Sequence, residues 1–168
     1  EDVANAIVFC NRKTTVRELN KSLQQHGFRS GEIHGDIDQA SRQRQLEAFK
    51  SGTINLLVAS DVAARGLDIK GVSHVFNFDA PWHPDDYVHR IGRTGRAGAT
   101  GVAYTFVTPE DAEAIDNIQK LIGTKIPVVV ARNEATASEP ESESKRAGKP
   151  ARGRKAKAEP AASGAEPA

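Results

Sequence analysis

Short apolar runs separated by longer segments of helical spacing make up the first 130 residues of this chain. NAIVFC (5–10) is a continuous apolar run of strand length, and after it Val16, Leu19 and Leu23 recur on one helical face. Gly27 ends that helix. SGEIHG (30–35) predicts a short extended piece, and residues 39–50 a helix with Leu46 and Phe49 turned inward. INLLVAS (54–60) is the most strand-like segment, and HVFNFD (74–79) and GVAYTFV (101–107) are two more candidate strands. The first of these leads through Pro81 and Pro84 to a helix carrying Tyr87, Val88 and Ile91. After the second, Thr108 is a candidate N-cap before Pro109, with Glu110 and Asp111 in the first turn. That helix is expected to reach Leu121–Ile122 and stop at Gly123.

Strands that are apolar and alternate poorly, each followed by a helix, predict an α/β fold. Its parallel sheet is expected to carry helices on both faces. In such sheets ligands collect where the chain leaves the carboxyl ends of the strands. The loops there are unusual: HGD (34–36), SDVAARGLD (60–68) and HRIGRTGRAG (89–98).

From residue 131 onward the chain has no aromatic, Leu, Ile or Val residue and is rich in Ala, Pro, Ser and Glu. Such a composition cannot bury enough apolar surface to offset the entropy of ordering it. The expected organisation is one domain over 1–130 and a disordered tail over 131–168. Lys145 to Lys157 places seven positive charges among Gly and Pro, either a loose phosphate-binding segment or simply a solubilising one.

Charge sharpens that division. Residues 1–130 carry 15 Lys and Arg against 16 Asp and Glu, and residues 131–168 carry 8 against 6. An anion site in the body must therefore be local. One cysteine, Cys10, sits inside an apolar run and reads as a small buried hydrophobe. With no disulfide framework and no secretory signal, a reducing, cytoplasmic setting is expected. No apolar run approaches the ~18 residues of a membrane span. The five histidines lack metal-ligand spacing. The chain opens on Glu1-Asp2 and contains no methionine, so a piece of a longer protein is expected, with further sequence upstream.

The chain contains no GxxxxGK[ST] loop and no paired acidic motif at a strand end. By itself it is not expected to hold and hydrolyse a nucleoside triphosphate. In HRIGRTGRAG, Arg90, Arg93 and Arg96 recur every third residue, as do Gly92, Gly95 and Gly98. The glycines break the preceding helix and present Arg93 and Arg96 from a loop, while Arg90, still on the helix, reads as structural. Neighbouring guanidiniums suit a phosphate; salt bridges to Asp61 or Asp68 are the alternative. In SDVAARGLDI, Gly66 allows a close turn, and a carboxylate there can accept from a ribose hydroxyl. Helix capping by Ser60 or Asp61 is an equally natural role.

AIVFCNRK (6–13), HGDIDQASRQRQLEAFK (34–50), SDVAARGLDI (60–69) and YVHRIGRTGRAG (87–98) together resemble motifs IV, IVa, V and VI of the DEAD-box RNA helicases. Over about residues 4–126 the chain resembles the second RecA-like domain of that family, of P-loop NTPase type and bacterial character. His89 at the head of the last motif favours this family over its Gln-bearing relatives. The resemblance implies ATP as the bound nucleotide, with Mg2+ and the attacking water held by a first RecA-like domain elsewhere in the protein. Arg93 and Arg96 would be arginine fingers to the γ-phosphate, Asp68 with nearby Gly66 would meet the ATP ribose, and His89 would couple the domains. Gly35, Arg42 and Ser60 would touch the RNA backbone, and no metal ligand is assigned. Arg12 stands where the family often has Thr, and Ser60 where Thr is usual. The function implied is ATP-dependent local unwinding of RNA duplexes, with this chain alone inactive. A stand-alone RNA-binding or partner-docking module, acting through the tail, is the alternative. Besides RNA and the first domain, contacts of RNA or protein with the tail are expected, and none with a membrane.

Overall fold

Five strands lie side by side, all parallel, in a computed structural model that describes residues 3–69, 71–95 and 100–129. They are β1 (Ala6–Cys10), β2 (Ser30–Ile33), β3 (Leu56–Ser60), β4 (His74–Asn77) and β5 (Val102–Thr105), in the order β2-β3-β1-β4-β5. The most apolar segments take the middle of the sheet. Val8 of β1 stands opposite Val58 of β3 on one side and Phe76 of β4 on the other.

A parallel sheet has two faces to cover, and alternation along β1 divides its side chains between them. Ile7 and Phe9 pack with Ile33, Leu57 and Val75 against Leu46 and Phe49 of α2 (Gln39–Lys50) and Ala63 and Ala64 of α3 (Asp61–Ala64). Val8, Cys10 and Val58 pack against α1 (Lys13–Gln25), which presents Val16, Leu19 and Leu23 to them. Helices therefore cover both faces, as the apolar pattern predicts. Cys10 is fully buried; that burial, followed by the nearby Asp79 carboxylate, pushes its thiol up to about 12.

The last two helices are α4 (Pro84–Ile91) and α5 (Ala112–Ile122). The start of the latter differs from expectation. Pro109–Asp111 forms a 3-10 turn, in which the Asp111 carboxylate accepts from both the Thr108 N–H (2.7 Å) and the Thr108 hydroxyl (2.8 Å). The short α3 lies within a stretch expected as a loop. α2 has a side-chain cap at its start, Asp38 accepting from the Ser41 N–H at 2.8 Å. β5, at one edge of the sheet, is half exposed, whereas β2 at the other edge is mostly buried. No helix among the described residues is long and apolar enough to cross a membrane. The expected boundary at residue 131 and the tail beyond it lie outside the described residues.

Candidate nucleotide and RNA interface

Because all five strands run the same way, the segments that follow them emerge along one edge. In the order of the sheet these are His34–Asp36 after β2, Ser60 at the very end of β3, Asn11 and Arg12 after β1, and Asp79 after β4. Segments far apart in the chain thus become a continuous row.

Arg90 locks that row together. Its guanidinium is almost wholly buried and donates to both oxygens of Asp61 at 2.7 and 2.6 Å. It also donates to the Asp79 carbonyl (2.8 Å) and to Asn11 Oδ1 (2.6 Å), and it lies over the Phe9 ring at 5.5 Å. One side chain from α4 therefore holds the carboxyl ends of β1, β3 and β4. Bidentate pairing and full hydrogen bonding are what make such a buried charge tolerable.

Arg93 is differently placed. α4 ends at Ile91 with Gly92 as its C-cap, and a further turn follows in which the Thr94 N–H donates to Ile91 O at 3.1 Å. Thr94 is pinned to the segment before β4, its hydroxyl donating to Val72 O at 2.6 Å, and Gly95 takes φ +66°, a conformation costly for other residues. Gly92, at φ −64°, has no such need. The Arg93 guanidinium reaches only backbone carbonyls, Leu67 O at 3.2 Å and Ala64 O at 3.5 Å, and makes no ion pair among the described residues. It lines a shallow depression with Arg65, Asp86 and His89. Asp86 pairs with Arg65 and stands 4.0 Å from His89 Nδ1, so α3 and α4 are bridged beside Arg93. Arg96 lies outside the described residues.

Gly66 adopts φ +78°, which turns the chain sharply after α3 and brings out Asp68. The Asp68 side chain is 67% exposed and stands 3.6 Å from Lys50 Nζ at the end of α2. Arg42, from the start of α2, donates to Ala63 O and lines a cavity of about 310 Å³ with Gly66 and Asp68. The structure thus brings Arg42, expected on the RNA side, next to the two residues expected on the ATP side. Gly35 and Ser60, at the carboxyl edge, do not line this cavity. Ser60 occupies the N-cap position of α3, but its hydroxyl makes no capping bond and no other hydrogen bond among the described residues.

At the HGD turn, Asp36 accepts from Lys13 Nζ (2.8 Å) and Arg17 Nη2 (2.6 Å), fastening the turn to α1. The Lys13 hydrogen bond, with Arg17 beside it, holds the Asp36 carboxyl below the usual carboxylate range. A Cβ at Gly35 would meet nothing within 4 Å, and its φ needs no glycine, so nothing inside the domain demands a glycine there.

Sequence reasoning missed several members of this site. Asp86 reads as an ordinary acidic residue in a helix's first turn, which hides its role as a bridge. Lys50 carries no signal at all, since its meeting with Asp68 depends on how α2 docks. Asn11 and Asp79 are found only by strand neighbourhood. Among the described residues no three His, Cys, Asp or Glu side chains converge as metal ligands.

Comparison with known proteins places this geometry. The family of helicase conserved C-terminal domains matches residues 1–98. The DEAD-box ATP-dependent RNA helicase CshA of Geobacillus kaustophilus is 54% identical over 121 residues, which cover 72% of this chain and 26% of that protein. Its Bacillus subtilis counterpart is 53% identical over 121 residues, covering 72% and 24%. The chain thus spans about a quarter of the length of the curated relatives it matches. Among solved structures, E. coli DEAD-box protein SrmB, bound to regulator of ribonuclease activity A, superposes with a TM-score of 0.71 at 40% identity, covering 76% of each chain. A DEAD box protein of Methanococcus jannaschii gives 0.68 at 37% identity, covering 72% of this chain and 33% of that one. With the all-parallel sheet and the arginine-bearing loop after α4, these likenesses establish that the chain belongs to the helicase conserved C-terminal domain family, as the RecA-like C-terminal domain of a DEAD-box RNA helicase.

Proposed function

We propose that this domain supplies half of an ATP site and half of an RNA site in an ATP-dependent RNA helicase that unwinds duplexes locally. The observation that carries the reading is Arg93, a guanidinium at the domain surface that, among the described residues, bonds to backbone carbonyls and pairs with no carboxylate, with His89 beside it. A cation so placed fits a phosphate brought by another domain.

In this reading Arg93 and Arg96 meet the γ-phosphate, Asp68 with Gly66 receives the ribose, and His89 couples the two domains through Asp86. Residues 1–130 form the domain, and Gly35, Arg42 and Ser60 contact the RNA sugar–phosphate backbone, which gives binding without sequence readout. The open space at Gly35 and the unbonded Ser60 hydroxyl support a backbone approaching there. Magnesium and the attacking water belong to the first RecA-like domain. Asp61 is a poor candidate for either, being committed to Arg90. The tail, 131–168, adds contacts with RNA or a partner protein, and the protein works in the cytoplasm.

The test uses the protein with both domains. Arg93→Ala should lower RNA-stimulated ATP turnover by about 10³-fold or more while ATP and RNA still bind. Wild-type turnover by that variant would overturn the reading, as would ATP hydrolysis by this 168-residue chain alone. If deleting 131–168 abolished RNA binding while Arg42→Ala changed nothing, the stand-alone docking module would be the better account.

A further inference from the structure

A second cavity, of about 510 Å³, opens at the carboxyl ends of β1 and β4, beside the start of α5. Arg12, Trp82, Phe78, Phe106 and Glu110 line it. Trp82, the chain's single tryptophan, is 66% exposed and makes no ring contact among the described residues. Phe106 and Phe78, also exposed, meet edge to face at 6.4 Å and form an apolar floor. The Arg12 guanidinium and the Glu110 carboxylate are each without a hydrogen bond or ion pair among the described residues. An exposed indole, an unpaired cation and an unpaired carboxylate therefore share one recess with Asp79 and Asp111, whose carboxylates are taken by Asn11 and Thr108, and no contact among the described residues accounts for the first three.

Position indicates what fits. Cys10 is in register with Ser60, so Arg12 follows directly on the row that runs from Gly35 through Ser60. A nucleic-acid strand along that row would deliver its next nucleotide to this cavity. Glu110 would repel a phosphate inside the recess and accept from the N–H groups of a base, whereas Arg12 suits the phosphate at the rim. We propose that the cavity takes one unstacked base of the bound RNA, its face on Trp82, its polar edge toward Glu110 and its phosphate on Arg12. This rests on the reading of the Gly35–Ser60 row as an RNA-backbone site. Stacking on an exposed aromatic is sequence-tolerant, since every base has a π face.

The single tryptophan is its own probe. The full chain is titrated at low salt with labelled ten-nucleotide oligoadenylate and with an abasic ribose-phosphate oligomer of equal length. Anisotropy reports binding and tryptophan emission reports stacking. Oligoadenylate should quench the emission with the same midpoint as the anisotropy, and the abasic oligomer should not. Trp82→Ala should weaken oligoadenylate binding by roughly tenfold and leave the abasic oligomer unaffected, with Trp82→Phe restoring most of the loss. Arg42→Ala should weaken both oligomers alike. An unchanged affinity of Trp82→Ala for oligoadenylate, or an equal loss on both oligomers, overturns the stacking site. The backbone row would survive the first of these outcomes. Loss at Trp82→Ala with no effect of Arg42→Ala or Ser60→Ala would instead remove the row and keep the cavity.

Discussion

Arg90 and Arg93 are three residues apart and face opposite energetic demands. Arg90 is buried and satisfied at every turn, by Asp61, Asn11 and the Asp79 carbonyl. Removing it leaves the Asp61 carboxylate largely buried without its partner, so Arg90→Ala should destabilise the domain by about 3–5 kcal/mol in urea unfolding. Arg90→Lys keeps the charge but loses the planar fork, and should recover only part of this. Arg93 touches two carbonyl oxygens from a partly exposed position, and Arg93→Ala should shift stability by no more than about 0.5 kcal/mol. The repeat of Arg and Gly suggests this division, because Arg90 falls on the helix and Arg93 beyond it. The identity of Arg90's partners could not be read, since Asn11, Asp61 and Asp79 converge only through the strand order.

Among the elements, the turn between β2 and α2 is held by two carboxylates. Asp36 is lowered first by its hydrogen bond from Lys13 and then by Arg17; Asp38 is lowered by the hydrogen bonds it accepts from Ser41. A carboxyl whose folded value lies below its unfolded value stabilises above the unfolded value, about 4. That contribution is lost as pH falls through the folded values. Acid should therefore loosen this turn and the first turn of α2 before the sheet opens, visible below pH ~4 as a lower protection of the Ser41 amide, which donates to Asp38, relative to its intrinsic exchange rate. Asp36→Asn should remove its share at neutral pH; an exchange profile unchanged by acid would contradict the account. The strands and long helices were legible because burial imposes a period on their sequences. α3 was not, since four residues carry no period, and its Ser60 cap position is filled without a capping bond.

For the whole molecule, charge is distributed so that the body is nearly neutral and the tail basic. Each cation that meets an RNA phosphate steepens the salt dependence of binding by about 0.7 in log–log slope. Deleting 131–168 should flatten that slope while leaving the part due to the body, measured by RNA titration between 50 and 200 mM salt. An unchanged slope would mean the tail makes no phosphate contact. Local sequence determined the five strands and the long helices, that the sheet is parallel, that Cys10 is buried, and that glycines carry Arg93 beyond its helix. These follow from apolar spacing and backbone sterics, which act over a few residues. Tertiary structure alone decided that β1 lies between β3 and β4, that Arg42 shares a cavity with Gly66 and Asp68, that Lys50 meets Asp68, and that Trp82 opens onto a recess with Arg12. Each of these joins residues distant along the chain, and only the packing of the sheet and its helices brings them within contact distance.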